Sequence, residues 1–169
     1  MAAAKDRNGK VRYCGLDLGT NTTVVLVMNE DKKPVAIANP VLNSVVGYPK
    51  AGLIPGVLPH DGPHFGAEAL QHQLYLKLKW PFDGIKRLRE QGLDTAAARD
   101  FVTHIRSLAD DGGECELRVL IGIPADSTPD LMRALREAVA GTFQKVLMVP
   151  EPFLAAVGSR DESRIGSPG

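Results

Sequence analysis

Two β-rich runs, VRYCGLD at 11–17 and TTVVLVM at 22–28, are separated by only the four residues Leu18-Gly19-Thr20-Asn21. A link that short cannot carry a crossover, so the two strands must form an antiparallel hairpin. Pro34–Ile37 offers a third strand after the turn Asn29-Glu30-Asp31-Lys32. The pattern changes later in the chain. A helix is expected over 95–108, with Phe101, Ile105 and Leu108 on one face and Asp110-Asp111-Gly112-Gly113 closing it. The apolar run Leu117–Ile123 suits a buried strand. Asp126-Ser127-Thr128-Pro129 supplies N-cap candidates and an early proline for a helix carrying Leu131, Leu135 and Val139, which ends near Gly141. Val146–Val149 is a further strand. Strands alternating with helices build a parallel portion of a sheet. The expected class is therefore α/β: a mixed sheet of about five strands with flanking helices.

The middle of the chain reads differently. Residues 39–66 are punctuated by proline and glycine, which favours short strands and turns. A helix is expected from Ala67 to Leu78, with Leu70, Leu74 and Leu78 at four-residue spacing and Trp80-Pro81 ending it. Pro150-Glu151-Pro152 turns into a short helical piece over 153–157. The expected organisation is a disordered arm at 1–10, a core from 11–43 and 78–157, a small inserted subdomain at 44–77, and a disordered tail at 158–169.

Composition narrows the function. Lysine plus arginine is 20 and aspartate plus glutamate is 20 over 169 residues, so the net charge is zero. That balance gives no basic footprint for nucleic acid. No apolar run approaches the roughly 20 residues that cross a bilayer. The start MAAAKDRNGK has no apolar segment of a secretory signal, so a cytoplasmic protein is expected. Cys14 and Cys115 sit beside strand-like runs, where cysteine behaves as a small hydrophobe, and no disulfide is expected.

Two places carry candidate chemistry. In Asp17-Leu18-Gly19-Thr20-Asn21-Thr22 an aspartate ends a buried strand and a glycine opens a tight turn. Backbone N–H groups and hydroxyls gathered there can wrap a phosphate, and Asp17 can hold the accompanying hydrated Mg²⁺. The same residues would also serve an ordinary hairpin turn. Glu151 lies between two prolines at the carboxyl end of a strand, where open α/β sheets bind ligands. It could orient a water attacking phosphorus, or simply be an acid favoured at a helix start. Ile123-Pro124-Ala125 would shape the rim. His60, His64, His72 and His104 show no cysteine or carboxylate partner that completes a metal site. Lys86-Arg87-Leu88-Arg89 reads as a solvated helix face. Neither a Ser/His/Asp pattern nor a Walker-type loop is present.

Taken in order, these motifs resemble the actin-like ATPase superfamily. Gly15-Leu16-Asp17-Leu18-Gly19-Thr20-Asn21-Thr22 is similar to its first phosphate motif. Phe65-Gly66-Ala67-Glu68-Ala69 resembles a segment of its small subdomain, with Ala67 in place of the usual acid. Leu78-Lys79-Trp80-Pro81-Phe82-Asp83-Gly84-Ile85 resembles an actin segment, with Trp80 where tyrosine is usual. Ile121-Gly122-Ile123-Pro124-Ala125 and Glu151-Pro152 are similar to later family segments. Ser44-Val45-Val46-Gly47-Tyr48-Pro49-Lys50 and Val149-Pro150-Glu151-Pro152-Phe153 resemble the magnetosome-associated branch of the bacterial actins. The resemblance covers about residues 11–157.

The resemblance implies a ribonuclease H-like actin lobe and a nucleotide-dependent cytoskeletal filament protein that organises magnetosomes. It implies ATP and Mg as cofactors. Asp17 would bind Mg directly or through water. Gly19, Thr20, Asn21 and Thr22 would contact the β- and γ-phosphates, and Glu151 would position the attacking water. Residues 44–77 would touch the next subunit. Implied partners are further copies or full-length actin-like subunits, and magnetosome-associated proteins, with neither nucleic acid nor membrane insertion. The family's second phosphate loop, Asp-x-Gly-x-Gly-Thr, and its second lobe have no counterpart in the sequence. Half a clamp leaves water in the site, so weak binding and little hydrolysis by this chain are expected, along with exposed apolar surface. The alternative is a non-catalytic module that docks on actin-like filaments. A sugar-kinase-type phosphotransferase is disfavoured by the actin-like segment at 80–84.

Overall fold

The computed structural model describes residues 11–37, 41–82, 94–110, 115–125 and 127–155. Strand β1 (Val11–Leu18) pairs antiparallel with β2 (Thr22–Met28), Cys14 opposite Val27 and Leu18 opposite Thr23. The outer edge of β2 takes β3 (Pro34–Ala36) and the two-residue β4 (Leu42–Asn43). A second, three-stranded sheet places β5 (Val46–Pro49) between β6 (His64–Phe65) and β7 (Leu76–Lys79). Helix α1 (Gly66–Gln71) follows β6 directly. Helix α2 (Thr95–Ala109), strand β8 (Glu116–Ile123), helix α3 (Pro129–Val139) and strand β9 (Lys145–Pro150) complete the order. β8 lies parallel beside β1, and β9 parallel beside β8. The main sheet is thus mixed, with six strands rather than about five, β4 being the addition.

The period of two in the strands decides which face is covered. Cys14 and Leu16 of β1, Val25 and Val27 of β2, and Leu117, Val119 and Ile121 of β8 point to one side and are buried. Phe101, Val102 and Ile105 of α2 and Leu131, Leu135 and Val139 of α3 pack on them. Each fully buried Phe or Ile contributes roughly 1.5–3 kcal/mol by leaving water. Phe82 meets Phe101 edge-on, with ring centroids 5.7 Å apart. Arg12 donates to the carbonyl of Ala109 at 2.9 Å, satisfying one free carbonyl at the end of α2. Burial also raises the Cys14 thiol to about 11, so it stays protonated and unreactive. Both cysteines are free and buried.

The opposite face of the same sheet is open. Tyr13, Leu26 and Leu147 are exposed there, and with Gly15 and Leu120 they line an apolar trough of about 610 Å³.

Two expectations for local structure are corrected. The helix over 67–78 is short: α1 stops at Gln71, and Leu76–Lys79 is a strand. Leu-Lys-Leu-Lys alternates with period two, and pairing with β5 sets Leu76 opposite Pro49 and Lys79 opposite Val46. Leu74, expected on the helix face, is among the most exposed apolar residues, and Trp80-Pro81 follows a strand rather than ending a helix. On α2 the buried stripe runs through Ala98, Phe101, Val102, Ile105 and Ala109, and Leu108 is turned outward. Thr128 caps α3, its Oγ1 accepting from the Leu131 N–H at 3.2 Å. The arm, the tail, Asp83-Gly84-Ile85, the basic stretch at 86–89, Asp126 and the loop at 111–113 lie outside the described residues.

The small sheet meets the main body along α2. The Tyr48 hydroxyl donates to Asp100 at 2.6 Å. Burial, then that bond, pushes the phenol well above its usual range. The Phe65 ring stacks on His104 at 4.3 Å, and burial holds that imidazole below its ordinary value. Lys79 reaches Asp94 at 2.5 Å.

Candidate functional site

The carboxyl ends of β1, β8 and β9 fall at one edge of the sheet. Register sets Asp17 opposite Gly122 and Gly122 opposite Val149, while Ile123 faces Pro150. Glu151 follows Pro150 and opens a helical stretch at 151–155. Asp17 and Glu151 therefore stand on strands flanking β8, with strand axes about 10 Å apart at ~4.8 Å per step. Both carboxylates are exposed.

The hairpin between β1 and β2 contains Gly19, Thr20 and Asn21, and Thr22 begins β2. A Cβ at Gly19 would sit 2.4 Å from the carbonyl oxygen of Thr22. The turn is therefore tight enough to require glycine for its close approach rather than for its φ. Asn21 is tied from outside: its carbonyl accepts from the Ser44 N–H at 2.8 Å. Beneath it the hydroxyls of Thr23 and Ser44, both fully buried, lie 2.8 Å apart. The loop is thus backed by a polar pair and by β4. This leaves Thr20 partly exposed, and Asn21 and Thr22 facing solvent.

Gly122 forms the floor between the two carboxylates. A Cβ there would lie 3.6 Å from Glu151 Cγ, 3.4 Å from Leu154 Cδ1 and 3.8 Å from the Leu16 carbonyl. The side chain of Glu151 leans over this bare backbone. Nothing in the sequence marks Ser44 or Thr23 as site residues. Glycine inside an apolar run is a weak sign of close backbone approach, and it was the one signal available for Gly122.

The residues brought to one edge are thus Asp17, the Gly19–Thr22 hairpin and Glu151, with Ile123-Pro124 beside them. An exposed carboxylate next to a tight turn that carries the Thr20 and Thr22 hydroxyls suits a phosphate–metal ligand. A second carboxylate two strands away suits an acid or base across a gap.

No family model matches the chain. Over 149 residues it is 32% identical to the actin-like protein MamK of Magnetospirillum gryphiswaldense, covering 86% of this chain and 38% of that protein. MamK of Paramagnetospirillum magneticum gives 32% over 149 residues, covering 86% of this chain and 40% of the relative. The chain is a partial homologue of the MamK actin-like proteins. It spans less than half the length of the curated relatives it matches. Among solved structures, a non-polymerising MamK mutant bound to AMPPNP superposes with a TM-score of 0.73 at 27% identity, covering 90% of this chain and 44% of that one. A MamK double-helical filament gives 0.70 at 28% identity, covering 89% and 44%. MreB 5 of Spiroplasma citri bound to AMPPNP gives 0.62 at 20% identity, covering 88% and 41%, a likeness of fold alone. The mixed sheet with its flanking helices is thus an actin-fold lobe, as the sequence motifs implied.

Proposed function

We propose that this chain is the N-terminal half of a MamK-like bacterial actin, a nucleotide-dependent filament protein that organises or positions magnetosomes in the cytoplasm. The carrying observation is the shared strand edge: Asp17, the Gly19–Thr22 hairpin and Glu151 at the carboxyl ends of β1, β8 and β9. Homology to MamK and a neighbour that holds AMPPNP support the nucleotide reading.

In this reading the hairpin receives the β- and γ-phosphates of ATP. Its N–H groups and the hydroxyls of Thr20 and Thr22 complement negative charge, and the tight turn at Gly19 brings the backbone close. Asp17 fits Mg²⁺ because its carboxylate is a hard oxygen ligand, free at the surface and beside the phosphate cradle. When bound, Mg²⁺ neutralises phosphate charge. Glu151, across Gly122, orients a water toward the terminal phosphorus. The chain holds one wall of the cleft, so it binds weakly and turns over little by itself. Self-association is part of this reading, supported by the double-helical filament that the neighbouring MamK forms.

The second reading is a non-catalytic module that docks on full-length actin-like filaments, modulating them. Co-sedimentation with full-length MamK, read beside ATPase in a chain extended by a second actin-like lobe, tests both. ATPase and filaments in the extended chain, lost in Asp17→Ala, are the expected result. Co-sedimentation without ATPase in either form would favour the module.

A further inference from the structure

Three side chains of the small sheet converge away from the phosphate edge. His60, His64 and Glu68 offer ligand atoms that all lie within 4.8 Å of one another. His64 is in β6 and is fully buried. Glu68 stands four residues on, in the first turn of α1, with Oε1 3.1 Å from His64 Nδ1. His60, on the preceding loop, puts Nε2 3.6 Å from the same oxygen, and its ring stacks on His64 at 4.1 Å. The sequence alone shows no carboxylate partner for these histidines. The turn from β6 into α1 supplies one.

The hydrogen-bond inventory of His64 points to a cation. Its Nε2 faces the carbonyl of His60 at 3.2 Å, and its Nδ1 faces Glu68 Oε1. A carbonyl and an ionised carboxylate both only accept, whereas a neutral imidazole has one N–H to give. One ring nitrogen therefore aims a lone pair at an oxygen in a buried site, which costs free energy. A metal ion between Nδ1 and Oε1 removes the conflict. Nε2–H then donates to the His60 carbonyl, which fixes tautomer and ring orientation as such partners do for ligating histidines.

We propose that His60, His64 and Glu68 bind one divalent first-row transition ion, zinc being the best fit. Zinc with nitrogen and oxygen ligands at about 2.0–2.2 Å in tetrahedral geometry sets those atoms about 3.3–3.5 Å apart. The two separations to Glu68 Oε1, 3.1 and 3.6 Å, lie on either side of that value, and all three ligand atoms fall within 4.8 Å. The His60 and His64 rings stack at 10°, so His60 must turn out of that stack to aim Nε2 at the same ion. Two imidazoles and a carboxylate leave the fourth position to water. His60 is the movable ligand. It is half-exposed, and its Nδ1 accepts only a 3.2 Å bond from the Gly62 N–H, which ligation would release. The bound ion would clip the loop before β6 onto α1.

The test is zinc chloride titrated into the full 169-residue chain by calorimetry, with cobalt(II) absorption as a second readout of geometry. One ion per chain with a micromolar Kd and a tetrahedral cobalt spectrum are expected. Glu68→Gln and His60→Ala each remove a direct ligand and should weaken binding by more than the roughly ten- to a hundredfold that loss of an outer-shell partner costs. Zinc should raise the Tm of the parent chain but not of His60→Ala. His60 is on the surface, so its variant stays folded even if His64→Ala does not, and circular dichroism checks this. Absent binding at high-micromolar zinc overturns the proposal. Equal affinity in parent, His60→Ala and Glu68→Gln overturns it as well, because the ion then sits elsewhere.

Discussion

Two glycines at the same edge of the sheet carry different constraints. Gly19 has a backbone carbonyl 2.4 Å from where a Cβ would be, and backbone cannot move aside cheaply. At Gly122 every neighbour lies at 3.4 Å or beyond, an ordinary contact. Gly19→Ala should therefore destabilise the chain by about 1–3 kcal/mol, while Gly122→Ala should cost under about 1 kcal/mol. Urea denaturation of both variants checks the contrast; equal costs would mean that the hairpin relaxes freely. At this scale the sequence was partly legible. Asp17 and Gly19 announce a tight turn after a strand. Gly122 gives only a weak sign, because its closeness to Glu151 arises when β8 and β9 pair in register. The His60–His64–Glu68 cluster was hidden for a similar reason: the carboxylate arrives through a helical step, not through a recognisable ligand spacing.

Among the elements, α2 shows how a local signal and a tertiary contact share one residue. Asp94 caps the helix by accepting from the Ala97 N–H at 3.1 Å, and it also receives Lys79 from the small sheet. The Lys79 hydrogen bond, chiefly, holds its carboxyl below the usual range. A folded pKa below the unfolded value of about 3.9 means a contribution present above that pH, lost as pH falls through the folded value. Asp94→Ala should cost about 1 kcal/mol at neutral pH. Asp94→Asn keeps the cap and should cost only a few tenths, because the ion pair is partly exposed, yet it should flatten the loss of stability below about pH 4. Denaturation at pH 7 and pH 3 distinguishes these outcomes. The long amphipathic helices and the apolar strands were readable because each has one dominant period. Residues 67–78 were not, since Leu70, Leu74 and Leu78 satisfy a helical spacing while Leu76 and Leu78 satisfy a strand. The pairing of β7 with β5, a non-local contact, decides in favour of the strand.

For the whole molecule, one face of the main sheet is sealed by α2 and α3 and the other is an open apolar trough. The candidate site lies at the edge formed by the carboxyl ends of β1, β8 and β9. The curated relatives that the chain matches are more than twice as long. The order of motifs in the sequence foretold this lobe, which superposes on a MamK structure over 90% of the chain. The open face was readable only as an expectation of exposed apolar surface, because facing directions depend on strand register. In the proposed function, the shared edge of β1, β8 and β9 receives a magnesium nucleotide. The most direct measurement is equilibrium binding and turnover of ATP with Mg²⁺ by the purified chain, beside Asp17→Ala and Glu151→Ala. Weak, magnesium-dependent binding with little turnover is expected, with binding lost in Asp17→Ala and retained in Glu151→Ala. Binding that survives Asp17→Ala unchanged, or no binding even at millimolar ATP, would contradict it.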